Sequence, residues 1–74
     1  MDEICFYKLL GKRIRQLRDR KNLTQEKLAE KCGLSLDYIG KIEVSINRPG
    51  LKTLLKIANA LDINIKELFE FDYE

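Results

Sequence analysis

The sequence predicts an all-α fold, a compact arrangement of five helices. Apolar residues recur at three- and four-residue spacing along almost the whole chain, no run alternates apolar with polar as a strand would, and chain breakers fall between the periodic runs. The composition agrees, because 45% hydrophobic with 35% charged residues describes a globular chain, and one Pro with four Gly is too few for a scaffold made of loops. A length of 74 residues predicts a single domain, 1–74, with a small core and little stability in reserve, so that oligomerisation is a natural supplement.

The first helix is predicted to run to about Lys21, with Leu10, Ile14 and Leu17 on one stripe, and Asn22 ends it. Thr24 opens the second, because its hydroxyl can accept a hydrogen bond from a free first-turn amide, and Leu28, Ala29 and Cys32 supply its apolar face. Gly33 stops that helix and turns the chain, since glycine enters the left-handed region without steric cost. Ser35 offers the next N-cap, for a third helix through Leu36, Ile39, Ile42 and Glu43. The run from Ser45 to Gly50 reads as a loop around Pro49. A fourth helix follows with Leu51, Leu54, Leu55, Ala58 and Leu61 as its stripe. Asn64 with Glu67 resembles a capping box and opens a short fifth helix bearing Ile65, Leu68 and Phe69.

The second and third helices are separated by about three residues, and two helices joined so tightly pack at a steep angle only if the elbow is small. Counted from Gln25, a small residue stands fifth (Ala29), a glycine ninth (Gly33), an apolar residue tenth (Leu34), and β-branched residues fifteenth and eighteenth (Ile39, Ile42). That register over 25–44 is the pattern of a helix-turn-helix unit.

The net charge of +2 averages over a segregated distribution. Nine Lys or Arg stand against three acids from Lys8 to Lys31, whereas five acids stand against Lys66 alone from Asp62 to the end. One end suits a polyanion and the other repels it, although charge runs also occur as plain solvated helix faces. Cys5 and Cys32 are too few for a disulfide framework and offer no metal-ligand spacing; Cys32 reads as a small buried hydrophobe, and a reduced cytoplasmic setting is expected. No signal peptide or membrane segment is evident, and no small-molecule ligand, cofactor or metal is implied. An enzyme is disfavoured, because the chain has no His, no nucleophile beside a base, and no phosphate-binding glycine loop.

The segment LTQEKLAEKCGLSLDYIGKIE resembles the helix-turn-helix of the XRE family, which includes phage Cro and repressor-like proteins. The similarity extends through Ile14, Leu17 and Arg18 before the motif, and through Arg48-Pro49 and LKTLLKIANALDINIKELF after it, about sixty residues in all. It implies a five-helix lambda-repressor-like fold and sequence-specific binding of double-stranded DNA as a homodimer on paired half-sites. Glu43 falls on the inner face of the third helix, where an acid is costly unless paired, and Arg18 is the obvious partner. An Arg of the first helix bonded to a Glu of the third is common in the family, which likewise implies an architectural pair.

Spacing the third helix at about 100° per residue puts Asp37, Gly40, Lys41 and Val44 on its outer face. Lys41 can donate to guanine, Asp37 can accept from a cytosine amine, and Gly40 removes bulk between them. In similar proteins the positions of Leu36, Asp37 and Lys41 read bases. An exposed Asp37–Lys41 ion pair is the plainer alternative. The resemblance implies backbone or groove contacts for Gln25, Asn47 and Arg48; Tyr38 either bonds a phosphate or covers the core edge, and Lys21 and Lys27 are weaker phosphate candidates. Val44-Ser45 departs from the Asn-Gly pair that commonly ends the recognition helix, so either the helix runs longer or the loop takes another path. Ile65, Leu68, Phe69 and Phe71 are the candidate dimer interface, the alternative being that they close the monomer's own core. The rival function is a protein-interaction module of the same fold, such as an antitoxin. Within the DNA-binding class the length and the 38–43 segment are similar to restriction-modification controller proteins.

Overall fold

The computed structural model describes residues 1–71, among which four α-helices precede a short 3-10 helix and no strand occurs. The helices are α1 (Glu3–Arg20), α2 (Gln25–Cys32), α3 (Leu36–Glu43) and α4 (Leu51–Ala60), followed by the 3-10 helix Ile65–Phe69. Three α-helices begin on side-chain caps: the Asp2 carboxylate accepts from the Cys5 amide at 2.8 Å, the Thr24 hydroxyl from Lys27 at 3.0 Å, and the Ser35 hydroxyl from Tyr38 at 3.0 Å. Each cap satisfies one amide that has no partner within the helix.

The four α-helices end alike. Asn22, Gly33, Ser45 and Asp62 stand in the left-handed region, with φ of +57°, +70°, +61° and +57°. Their amides donate to Asp19, Glu30, Ile42 and Asn59, and the amide of the next residue donates to Arg18, Ala29, Lys41 and Ala58. This doubled bond consumes carbonyls that a helix end would leave open. The residue after three of these turns, Leu23, Leu34 or Ile63, is apolar and packs against the core.

Leu10, Ile14 and Leu17 of α1 bury against Leu28 and Ala29 of α2, Ile39 and Ile42 of α3, and Leu54, Ile57 and Ala58 of α4. Cys32 is buried among them, and burial pushes its thiol pKa up, so it behaves as a small apolar side chain. The elbow residues fall as their spacing predicts: Ala29 is buried, Leu34 is partly buried, and Ile39 and Ile42 are closed off from water.

Three expectations need correction. The fifth helical segment is 3-10 rather than α. Its capping box is present, with the Asn64 amide donating to Glu67 Oε2 at 3.0 Å and Asn64 Oδ1 accepting from Lys66 at 3.0 Å. Five residues between Asn64 and Glu70 are too few to nucleate an α-helix, and the tighter i to i+3 bonding takes over. On α4, Leu51 and Leu55 are 73% and 49% exposed, and the core face is instead Leu54, Ile57, Ala58 and Leu61. Leu68, one of the four residues offered for a subunit interface, follows the alternative instead and is wholly buried in the monomer's own core; Ile65 and Phe71 pack on that core's edge, and Phe69 alone of the four is exposed.

The 3-10 helix is held from both sides. Arg13 Nε donates to the Glu67 carbonyl at 2.8 Å, and Phe6 stacks on Phe69 at 6.3 Å and meets Phe71 at 5.8 Å. No helix among the described residues is long and apolar enough to cross a membrane.

Candidate nucleic-acid interface

The position of α3 is fixed by one buried polar network. Arg18 Nε donates to Glu43 Oε2 at 2.8 Å and Arg18 Nη2 to Glu43 Oε1 at 3.1 Å, a two-pronged pair whose side chains are 9% and 2% exposed. Arg18 Nη1 donates to the Leu23 carbonyl at 2.6 Å and lies 3.3 Å from Asp19. Gln25 Nε2 completes the set by donating to Glu43 Oε1 at 3.0 Å. One carboxylate on α3 thus ties α1, the α1–α2 connection and the first residue of α2 together. The hydrogen bonds that Arg18 donates to Glu43 raise its pKa against the opposing effect of burial, so the guanidinium remains charged inside the protein.

Gly11 sets how closely α1 approaches the same place. A Cβ there would lie 2.5 Å from the Glu43 carbonyl oxygen and 2.7 Å from that of Ile42, so a side chain at this position would collide with the last turn of α3. The spacing of apolar residues along α1 does not single out Gly11. Its only signal is a glycine inside a long periodic helix, where a packing reason is the usual one.

The outer face of α3 carries Asp37, Gly40, Lys41 and Val44. Lys41 Nζ lies 3.0 Å from Asp37 Oδ2, with side chains 45% and 74% exposed, so the ion pair forms while both groups stay in reach of solvent. Leu36 and Val44 are exposed at either end of the helix. At Gly40 a Cβ would sit 3.6 Å from Gln25 Oε1, so Gln25 lies over the gap that the glycine leaves. The Gln25 amide nitrogen is therefore committed to Glu43 and its oxygen borders the outer face, a double position that the sequence did not reveal.

The remaining candidates are distributed differently. Tyr38 is partly buried and packs on the core edge. The Asn47 amide donates to the Lys41 carbonyl at 3.2 Å, beside the 2.8 Å bond from Ile46. Arg48 is held on α1: its Nη1 lies 2.9 Å from Glu3 Oε2, and its guanidinium carbon is 5.0 Å from the centre of the Tyr7 ring. Helix α3 ends at Glu43, which rules out the longer helix at Val44-Ser45, and Ser45 takes the left-handed turn that Gly33 takes at the end of α2.

The outer face of α3 thus offers a hydrogen-bond donor, an acceptor and exposed apolar groups. Among the described residues no cluster of His, Cys, Asp and Glu is placed to hold a metal ion.

The profile of the helix-turn-helix family HTH_3 matches residues 14–68. The control protein C.BamHI of Bacillus amyloliquefaciens is 39% identical over 64 residues, which are 85% of this chain and 79% of that protein. The crystal structure of the restriction-modification controller protein C.AhdI from Aeromonas hydrophila superposes with a TM-score of 0.84 at 43% identity, over 85% of this chain and 96% of that one. SinR of Bacillus subtilis, the master regulator for biofilm formation, solved in complex with DNA, superposes with a TM-score of 0.77 at 32% identity, over 82% of this chain and 98% of that one. Sequence register, elbow geometry and these similarities converge: the chain belongs to the XRE-type helix-turn-helix family of DNA-binding transcription regulators.

Proposed function

We propose that the chain acts as a homodimer on a pseudo-palindromic duplex operator, in the manner of a restriction-modification controller protein, with α3 in the major groove. Leu36, Asp37 and Lys41 read base edges, and Gln25 meets the phosphate backbone from the start of α2. The observation that carries this reading is the outer face of α3. An acceptor and a donor stand exposed one turn apart on a helix whose inner face is locked by Glu43.

Dimerisation follows from size, because one small module supplies few contacts and paired half-sites about one helical turn apart multiply them. With Leu68 spent in the core, the exposed apolar residues available to a second copy include Leu51, Leu55 and Phe69. Leu51 and Phe69 share a shallow cavity of about 260 Å³ with Phe6 and Tyr7, which makes one continuous apolar patch at the end of the molecule bearing the 3-10 helix. In this reading Asn47 and Arg48 meet the backbone beside α3, and Arg48 gives up Glu3 to do so, an exposed pair worth about 0–1 kcal/mol.

Selection of bound sequences from a random duplex library tests the whole reading, with a palindrome as the expected outcome. In the same assay Lys41→Ala relaxes the preference at one position of each half-site and weakens specific binding by about 1–3 kcal/mol. An enriched set without symmetry, or a Lys41→Ala variant with unaltered preference, refutes the assignment.

A further inference from the structure

Lys8, Gly11, Lys12 and Arg15 stand at i, i+3, i+4 and i+7 of α1 and therefore form one stripe along it. Such spacing is expected to be apolar where a helix buries a face, yet here three cations surround a glycine. The glycine is the point of contact, pressed on the carbonyls of Ile42 and Glu43. The cations consequently flank the end of α3: Lys8, Lys12 and Arg15 line a concavity of about 330 Å³ together with Glu43, Val44 and Ser45. Val44 is also the last residue of the outer face that bears Asp37 and Lys41.

We infer that this stripe is a second DNA-binding surface, a phosphate-binding ridge that extends the contact of α3 along the duplex backbone. The inference rests on the major-groove placement proposed above. Charge favours it. The Glu43 carboxylate is taken by Arg18 and Gln25, the carboxylate of Asp19 lies 4.0 Å from Arg15 at an exposed site, and neither Lys8 nor Lys12 has an ion pair among the described residues. Length favours it as well. From Lys8 to Arg15 the helix rises about 10 Å, and a DNA strand advances about 3.4 Å along the duplex axis per phosphate, so the ridge spans about three phosphate steps, enough for each of its three cations to meet a phosphate. The competing role for the same cations is purely internal, since positive charge near the last carbonyls of α3 stabilises that helix.

The two roles separate in one experiment. Affinity for the selected operator and for a random duplex is measured against salt concentration for the wild type, for Lys12→Gln, and for the triple variant Lys8→Gln, Lys12→Gln, Arg15→Gln, with thermal unfolding recorded in the same buffers. The ridge predicts that the slope of log affinity against log salt becomes shallower by about 0.9 for the single variant and by roughly 2–3 for the triple. Both duplexes lose affinity together, the base preference is retained, and the melting temperature is unchanged. Unaltered slopes overturn the ridge, whether or not the melting temperature falls, and a fall would assign the cations to α3. A wild type without salt-sensitive duplex binding removes the major-groove reading itself, whereas wild-type binding with unaltered variant slopes removes the ridge alone.

Discussion

Helices α2 and α3 form one functional unit and close with the same pair of hydrogen bonds, but the two endings are made from different materials. At the end of α2 the left-handed residue is Gly33, a Cβ there would touch nothing within 4 Å, and the following Leu34 tucks against the core. At the end of α3 the left-handed residue is Ser45, and the following Ile46 is 68% exposed. A left-handed residue with a side chain costs about 1–2 kcal/mol where glycine costs nothing, and an exposed isoleucine returns no burial. The first turn is therefore satisfied by its own residues. The second is imposed from outside, by the grip of Arg18 and Gln25 on Glu43 and by Gly11 against the last carbonyls. A turn that its local sequence disfavours persists because tertiary contacts hold both sides of it.

That difference can be broken most severely at Glu43. Glu43→Ala strands Arg18 in a buried site, and removing one partner of a buried pair costs about 3–5 kcal/mol. For a domain of this size the melting temperature should fall by more than about 10 °C, at about 4–8 °C per kcal/mol. A loss below about 1 kcal/mol would show that the network does not govern the end of α3. Gly11→Ala comes next, and its sign is the informative part. Helix propensity alone predicts a gain of about 1 kcal/mol, whereas a methyl driven into backbone atoms at 2.5–2.9 Å predicts a loss of about 1–3 kcal/mol. We expect the loss, measurable by urea denaturation.

Gly33→Ala should cost about 1 kcal/mol through backbone strain alone, since the space around it is open. Ser45→Gly should act in the opposite direction. Relief of the left-handed strain outweighs the added freedom of the unfolded chain, giving a gain of a few tenths to about 1 kcal/mol. Equal and opposite responses at the two sites would sharpen the comparison. A destabilised Ser45→Gly would mean that the serine contributes something besides the turn.

The helix-turn-helix was legible in the sequence because its determinants are local: Ala29, Gly33, Ile39 and Ile42 act through spacing along one short stretch. Arg18 and Glu43 lie 25 residues apart, and their pairing is legible because an acid on the inner face of α3 needs a partner and family resemblance points to the same Arg. What stayed hidden depends on which neighbour a side chain meets. An apolar residue at helical spacing declares its preference for burial, but not whether the partner is its own core. Leu51 and Leu55 therefore read as core and Leu68 as either interface or core, while in the structure Leu51 and Leu55 are exposed and Leu68 is buried in the monomer. Gly11 and the Gln25–Glu43 bond escaped for a related reason. Close approach and a shared carboxylate are properties of helix crossing, which periodicity does not encode. The 3-10 segment kept an α-helical signature in its capping box because that motif describes a beginning and is silent about length.

If Asp37 and Lys41 read bases as proposed, the ion pair between them gives the free protein an internal competitor. A base edge that accepts from Lys41 must do better than the Asp37 carboxylate already does, and a base that donates to Asp37 must do better than the Lys41 ammonium. A base pair that engages only one of the two releases the other to water, whereas a step that engages both exchanges one satisfied arrangement for another. Because the pair is exposed and worth about 0–1 kcal/mol, the threshold it sets is low. On this account the pair filters out indifferent sequences at little expense in affinity for the correct one. Selectivity of this kind would be measured as a difference between duplexes rather than as the strength of any single complex.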